Sequence, residues 1–317
     1  MTYQAAIPSP AKRRALMDSI IIDNLRARAA HGTFDFLVEL SGLRPAEPKR
    51  CASLIAPAQT GKTTIIDSYV RKLNTAEALA RGDIPALKVT LRANVTRRQF
   101  AQDVLEAFEQ FGCNALVETG TEAQLLRRAA TYLAARNVQM LFLDEFHHLV
   151  HSDNRKVVMS VSETVKHLLI TGSCPIVVAG LEEARRPFDA NSQLAHRAEA
   201  HLDLSPLDPT CGDSIDLFFN FLTDYLVKTE QVGAAKNLLP ILDGEGPACI
   251  LEVAQGVLGA ACNLVKEAVQ VAAGESRLHV CRNDFDVATD RAVRNRLYTR
   301  NPFRDGLAPM KRRKFAA

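Results

Sequence analysis

Residues 51–73 read CASLIAPAQTGKTTIIDSYVRKL, and the order of segments inside this stretch decides the fold. CASLIA is an apolar run with the length of a buried strand, PAQTGK is rich in turn formers, and TTIIDSYVRKL has a helical pattern. A loop between a buried strand and a helix start gathers main-chain N–H groups at the positive end of the helix, where an anion is stabilised. Ala56, Pro57, Ala58, Gln59, Thr60, Gly61, Lys62 and Thr63 follow the phosphate-loop pattern G-x-x-x-x-G-K-[ST], with Ala56 in place of the first glycine and Thr64 directly after the pattern as a further nucleotide-binding candidate. Gly61 permits close backbone approach, Lys62 supplies an ammonium for β- and γ-phosphate oxygens, and Thr63 supplies a hydroxyl for Mg²⁺. A chance GKT at a helix start is the alternative.

Working outward, short apolar runs recur at ALKVTL (86–91), VQMLFL (138–143), CPIVVA (174–179) and AEAHLDL (198–204). Helical patterns lie between them at 97–111, 121–136, 155–171 and 181–196. Strands alternating with helices imply a parallel sheet covered on both faces. The run Met140–Leu143 ends in Asp144 and Glu145, and the carboxyl ends of parallel strands face the ligand crevice. Asp144 is therefore the candidate for holding Mg²⁺ with Thr63, and Glu145 for orienting and deprotonating an attacking water; surface acids after a buried strand are the alternative. His147, His148 and His151 follow, but neighbouring helical positions point about 100° apart. No convergent group completes a ligand set in the sequence, so a surface or interface role is expected for them.

Upstream, residues 12–43 read as helical, with Gly32 as the interruption, and Pro45 and Pro48 mark the exit. Downstream of Pro206 and Pro209 the strand signals stop, and 212–228, 233–242, 247–256, 259–273 and 283–297 look helical. The domains expected are a helical extension (1–48), an α/β core (49–206), a helical lid (207–297) and a basic tail (298–317). The chain has 317 residues, a net charge of +3 and 47% hydrophobic residues, which supports packed cores and excludes disorder as the main state. No apolar run approaches the roughly 18 residues of a membrane span. Seven scattered cysteines without a C-x-x-C argue against disulfides or zinc and suit a reducing cytoplasm. Residues 291–317 hold nine basic residues against the single acid Asp305, a hand for phosphates or an acidic partner, or a solvated terminus.

The loop APAQTGKT, then LFLDEFHHL, AGLEEA and SQLAHR, with a helical segment GVLGAACNLVKEAVQ after them, resemble the AAA+ ATPases, and within them the TniB/TnsC transposition regulators. The resemblance implies a five-stranded parallel P-loop core with a C-terminal helical lid. It implies an ATP- and Mg²⁺-dependent bacterial cytoplasmic protein that forms rings or helical filaments on duplex DNA. Its partner would be a transposase, with an adaptor protein as a further partner. On this resemblance Lys62, Thr63, Asp144 and Glu145 keep the nucleotide roles, and Arg197 acts in trans on a neighbour's γ-phosphate, with Arg185 and Arg186 in reserve. A surface or salt-bridged arginine is the alternative for Arg197. Leu181 after Gly180, and a 256–265 segment without arginine, depart from the family and imply slow hydrolysis, with nucleotide as an assembly switch. The stretch 92–98, RANVTRR, is where the family touches DNA backbone, making Arg92, Thr96, Arg97 and Arg98 phosphate-binding candidates, against a solvated helix cap. A replication initiator or helicase loader of the same superfamily, and a nucleotide-gated scaffold without DNA, are the competing functions.

Overall fold

The computed structural model describes residues 7–92, 96–115, 117–149, 155–171, 174–294 and 299–308. Along the chain run α1 (Pro10–Asp18), α2 (Leu25–Leu43), β1 (Cys51–Ile55), α3 (Lys62–Leu73), α4 (Ala76–Ala80), β2 (Ala86–Thr90), α5 (Arg97–Glu109), α6 (Glu122–Ala135) and β3 (Met140–Asp144). Then come α7 (Arg155–Thr171), β4 (Ile176–Gly180), α8 (Arg186–Ala190), α9 (Ser192–Ala195), β5 (Ala198–His201), α10 (Gly212–Gln231), α11 (Gly246–Val253), α12 (Leu258–Gly274), α13 (Arg282–Arg294) and α14 (Pro302–Asp305). The strands form one parallel sheet in the order β2-β3-β4-β1-β5.

All residues of β1, β3 and β4 are buried, because helices cover both faces of the sheet. Strand alternation divides their side chains between two cores. Ile55, Leu141, Leu143, Ile176 and Val178 pack with α5, α6 and α7. Leu54, Met140, Phe142, Val177 and Ala179 pack with α2 and α3, where Phe34, Tyr69 and Phe142 meet edge to face at 5.1–5.8 Å.

The chain separates into an α/β unit, Leu25–Leu204, and a helical unit made of the chain up to Asn24 with the chain from Ser205 onward. The leader expected as one extension over 1–48 is thus divided between the two. In the helical unit Met17 and Ile22 join the core of α10 and α12. Arg13 of α1 is buried and donates to the Arg277 carbonyl at 2.7 Å, and Lys266 of α12 meets Asp18 at 2.6 Å.

Three elements differ from their sequence reading. Gly32 lies inside α2, and the helical leader breaks instead between Asp18 and Leu25. The 181–196 pattern is broken into a 3₁₀ turn (Glu182–Arg185), α8 and α9, since Pro187 starts one helix and the Asn191 side chain caps the next. Of 233–242 only Leu239–Leu242 is helical, a 3₁₀ turn, while Lys236 bridges to His279. The basic tail expected from 298 begins bound to the helical unit. Arg304 pairs with Asp286 and Asp290, each at 2.7 Å, and Phe303 stacks on Phe285; Lys311–Lys314 lies outside the described residues.

Candidate functional site

The loop after β1 turns on two left-handed residues, Gln59 (φ 63°) and Gly61 (φ 93°), and Ala56 is not one of them. This explains why alanine is compatible with the first loop position: the conformation that favours glycine falls elsewhere. Thr60 ties the loop by donating its hydroxyl to the Pro57 carbonyl at 3.0 Å. Lys62, at the start of α3, folds back and donates to the carbonyls of Ala56 and Pro57, both at 2.7 Å. Burial draws its pKa below the ordinary lysine value, opposed by the nearby carboxylates of Glu145 and Asp144.

β3 delivers Asp144 to the same crevice. Its carboxylate accepts from the Thr63 hydroxyl at 2.9 Å through one oxygen and from the Glu145 amide at 2.9 Å through the other. A hydroxyl and a carboxylate already facing each other offer the hard oxygen donors that a Mg²⁺ ion takes, so these residues fit that ion. Lys88 of β2, which the sequence reading did not include, stands 3.8 Å from Asp144 and 2.6 Å from Asp67. Its signal was a lone lysine inside an apolar strand. Glu145 adopts a left-handed backbone (φ 58°) unusual for a non-glycine residue, and its side chain is 41% exposed.

The residues after Glu145 form a 3₁₀ turn, Phe146–Leu149, anchored by buried Phe146 and Leu149. The sharp turn brings ligating atoms of Glu145, His147 and His148 within 4.8 Å of one another, three groups and not four, while the burial of His147 corrects the surface role expected for it. His151 lies outside the described residues.

Arg197 sits before β5, half-buried, and its buried Nε has no hydrogen-bond partner among the described residues. Arg185 is held by Glu182 at 2.9 Å. The arginines of 92–98 are engaged by their own unit. Arg92 binds buried Asp103 through Nε at 2.7 Å and Glu106 at 3.2 Å. Arg97 pairs with Glu122 at 3.4 Å, and Arg98 donates to the carbonyls of Gly120 and Glu118. Thr96 is the N-cap of α5, in a reciprocal capping box with Gln99. Arg92 and Arg97 still leave 57% and 39% of their side chains in solvent, and Ala93–Val95 lie outside the described residues.

Comparison with known proteins adds to this geometry. The family model described as the bacterial TniB protein matches residues 16–204. Among solved structures, the chain is similar to the Aeropyrum pernix ORC2 protein in its ADP form, with a TM-score of 0.61 at 14% identity, covering 87% of this chain and 72% of that one. It is similar to the Aeropyrum pernix ORC1 protein in complex with DNA (TM-score 0.57, 18% identity, 89% and 70% covered). It is also similar to Drosophila ORC bound to DNA (TM-score 0.53, 15% identity, 94% and 70% covered). These likenesses fix the fold as that of AAA+ ATPases, a parallel P-loop core with a helical region after it. No curated protein matches the chain in sequence. Among the described residues no single helix is long and apolar enough to cross a membrane.

Proposed function

The chain belongs to the TniB family, and from that premise we propose an ATP-dependent, DNA-binding AAA+ protein that assembles on duplex target DNA and recruits and activates a partner transposase. The observation that carries the nucleotide reading is the meeting of Thr63 with Asp144 beside Lys62. Ala56–Thr64 would hold ATP: loop amides cradle the phosphates, and the Lys62 ammonium exchanges its two carbonyls for phosphate oxygens. Thr63 and Asp144 would hold Mg²⁺, which when bound neutralises charge on the transferring phosphoryl group. Glu145 accepts the proton of the attacking water. Arg197, half-buried just before β5, would reach the γ-phosphate of a neighbouring subunit through its terminal guanidinium nitrogens. Leu181 brings no polar side chain to the end of β4, so hydrolysis is slow and nucleotide serves chiefly as the assembly switch.

The ORC1 protein in complex with DNA and the ORC bound to DNA, similar in fold, support DNA binding. Arg92, Thr96, Arg97 and Arg98 would lend it contacts to phosphates with little sequence preference, falling steeply with salt. Those relatives also keep a replication-initiator reading open, while the family match favours transposition. Electron microscopy of the protein with duplex DNA tests the proposal. Ordered rings or filaments should require both DNA and a non-hydrolysable ATP analogue, and monomers under every condition would contradict it.

A further inference from the structure

Leu181 lacks a polar group where β4 ends, yet its main-chain N–H points at an imidazole: His147 Nδ1 lies 3.5 Å away. The other nitrogen of that ring, Nε2, lies 3.4 Å from a Glu145 carboxylate oxygen. An amide N–H can only donate, so Nδ1 facing it is the unprotonated nitrogen, and a neutral ring then carries its proton on Nε2, towards Glu145. We propose that His147 is a positioning residue: its Nε2–H orients the Glu145 carboxylate, and its Nδ1 ties that carboxylate to the Leu181 amide at the end of β4. The inference rests on the reading of Glu145 as the water-activating base.

The surroundings are built for this ring. His147 is buried, on a turn anchored by buried Phe146 and Leu149. Gly180 makes room for it, since a Cβ there would stand 3.1 Å from the His147 amide nitrogen, 3.4 Å from Nδ1 and 2.9 Å from the Ala184 Cβ. His148 packs against it at 4.4 Å and is itself fixed by a 3.0 Å contact between its Nδ1 and the Leu91 carbonyl. Burial, with His148 and Lys62, keeps His147 below its ordinary pKa against the opposing pull of Glu145 and Glu183, so the ring is neutral at neutral pH. A shift of the β4 end is thereby passed to the base. A left-handed Glu145 is a backbone conformation that needs such external support.

The test is hydrolysis under single-turnover and steady-state conditions, with nucleotide affinity measured separately, for wild type, E145Q, H147A, H147Q and L181P. H147A should lower kcat by about ten- to a hundredfold while KM and affinity for ATP stay within about twofold, as misplacing a reacting group does. H147Q, whose amide N–H can reach the Nε2 position, should recover most of kcat. The Leu181 backbone φ of −79° suits proline; L181P removes the N–H and sets the proline Cδ against the His147 ring, so it should lower kcat in the same direction. Combined with H147A it should add nothing. Independently, ¹⁵N NMR of the wild-type protein should find His147 as the Nε2–H tautomer at neutral pH. An Nδ1–H tautomer, wild-type kcat in H147A, or losses equal in H147A and H147Q and matched by lost affinity would overturn the inference. If E145Q hydrolyses like wild type, the base assignment itself fails and this inference with it. An inactive E145Q beside wild-type-like His147 variants rejects the inference alone.

Discussion

At the end of β1 the Lys62 ammonium rests on two main-chain carbonyls, whereas just past the end of β2 the Arg92 guanidinium grips the carboxylate of Asp103, whose side chain is 3% exposed. Both are cations in motifs that sequence reading assigned to phosphates. Their present partners differ in what they lose on exchange. A neutral carbonyl in a loop gives up an ammonium to a phosphate without stranding a charge. A buried carboxylate does not, because removing its partner leaves an uncompensated ion in a poorly solvating site. On the proposed function the first region would exchange partners; in the second, Arg92 holds α5 through Asp103, and its exposed remainder is what a DNA phosphate would meet.

The contrast can be broken or sharpened in order of effect. If Arg197 serves a neighbour's γ-phosphate as proposed, R197A should lower hydrolysis in the DNA-bound assembly by roughly a thousandfold. ATP affinity of the isolated protein should stay unchanged, as a binding titration beside the turnover assay would show. R92A should act on folding instead, lowering stability by about 2 kcal/mol in urea denaturation because Asp103 is left buried. R98A, which loses only bonds to carbonyls, should leave stability nearly intact. It should reduce the slope of log affinity for DNA against log salt by about one. A control lies in the helical unit, where buried Asp284 accepts from Arg277 at 2.7 Å and from the Cys281 amide at 2.8 Å. Burial alone would raise its pKa, but these bonds outweigh it and hold the carboxyl below its ordinary value. Its stabilisation is therefore complete above the unfolded pKa of about 4 and is lost as pH falls through the lower folded value. Acid titration of D284N should lack that part of the wild-type stability loss, which is about 1–2 kcal/mol.

The five strands were legible because fully covered parallel strands are continuous apolar runs, and the phosphate loop because its residue types have few other uses. The features that escaped depend on partners distant in sequence. Gly32 looked like a break, but a Cβ there would meet nothing within 4 Å, and the buried Ala27, Ala30, Phe34 and Leu37 around it hold α2 together. The true break follows α1, since Met17 and Ile22 are drawn into the helical unit's core. Arg304 looked like part of a free basic tail, and no local pattern announces Asp286 and Asp290 as its partners. The histidines after Glu145 were weighed on a regular helix. The left-handed Glu145 and the 3₁₀ turn after it redirect them, a consequence of Phe146 and Leu149 burying beneath the sheet's end.

On the proposed function Lys62, Thr63 and Asp144 hold one nucleotide. Titration of the purified protein with a fluorescent ATP analogue and Mg²⁺, compared with K62A, tests it most directly. Saturable binding to the wild type and a loss of about a hundredfold or more in K62A are expected, with the fold of K62A checked by circular dichroism. Equal affinity in the two proteins would contradict it.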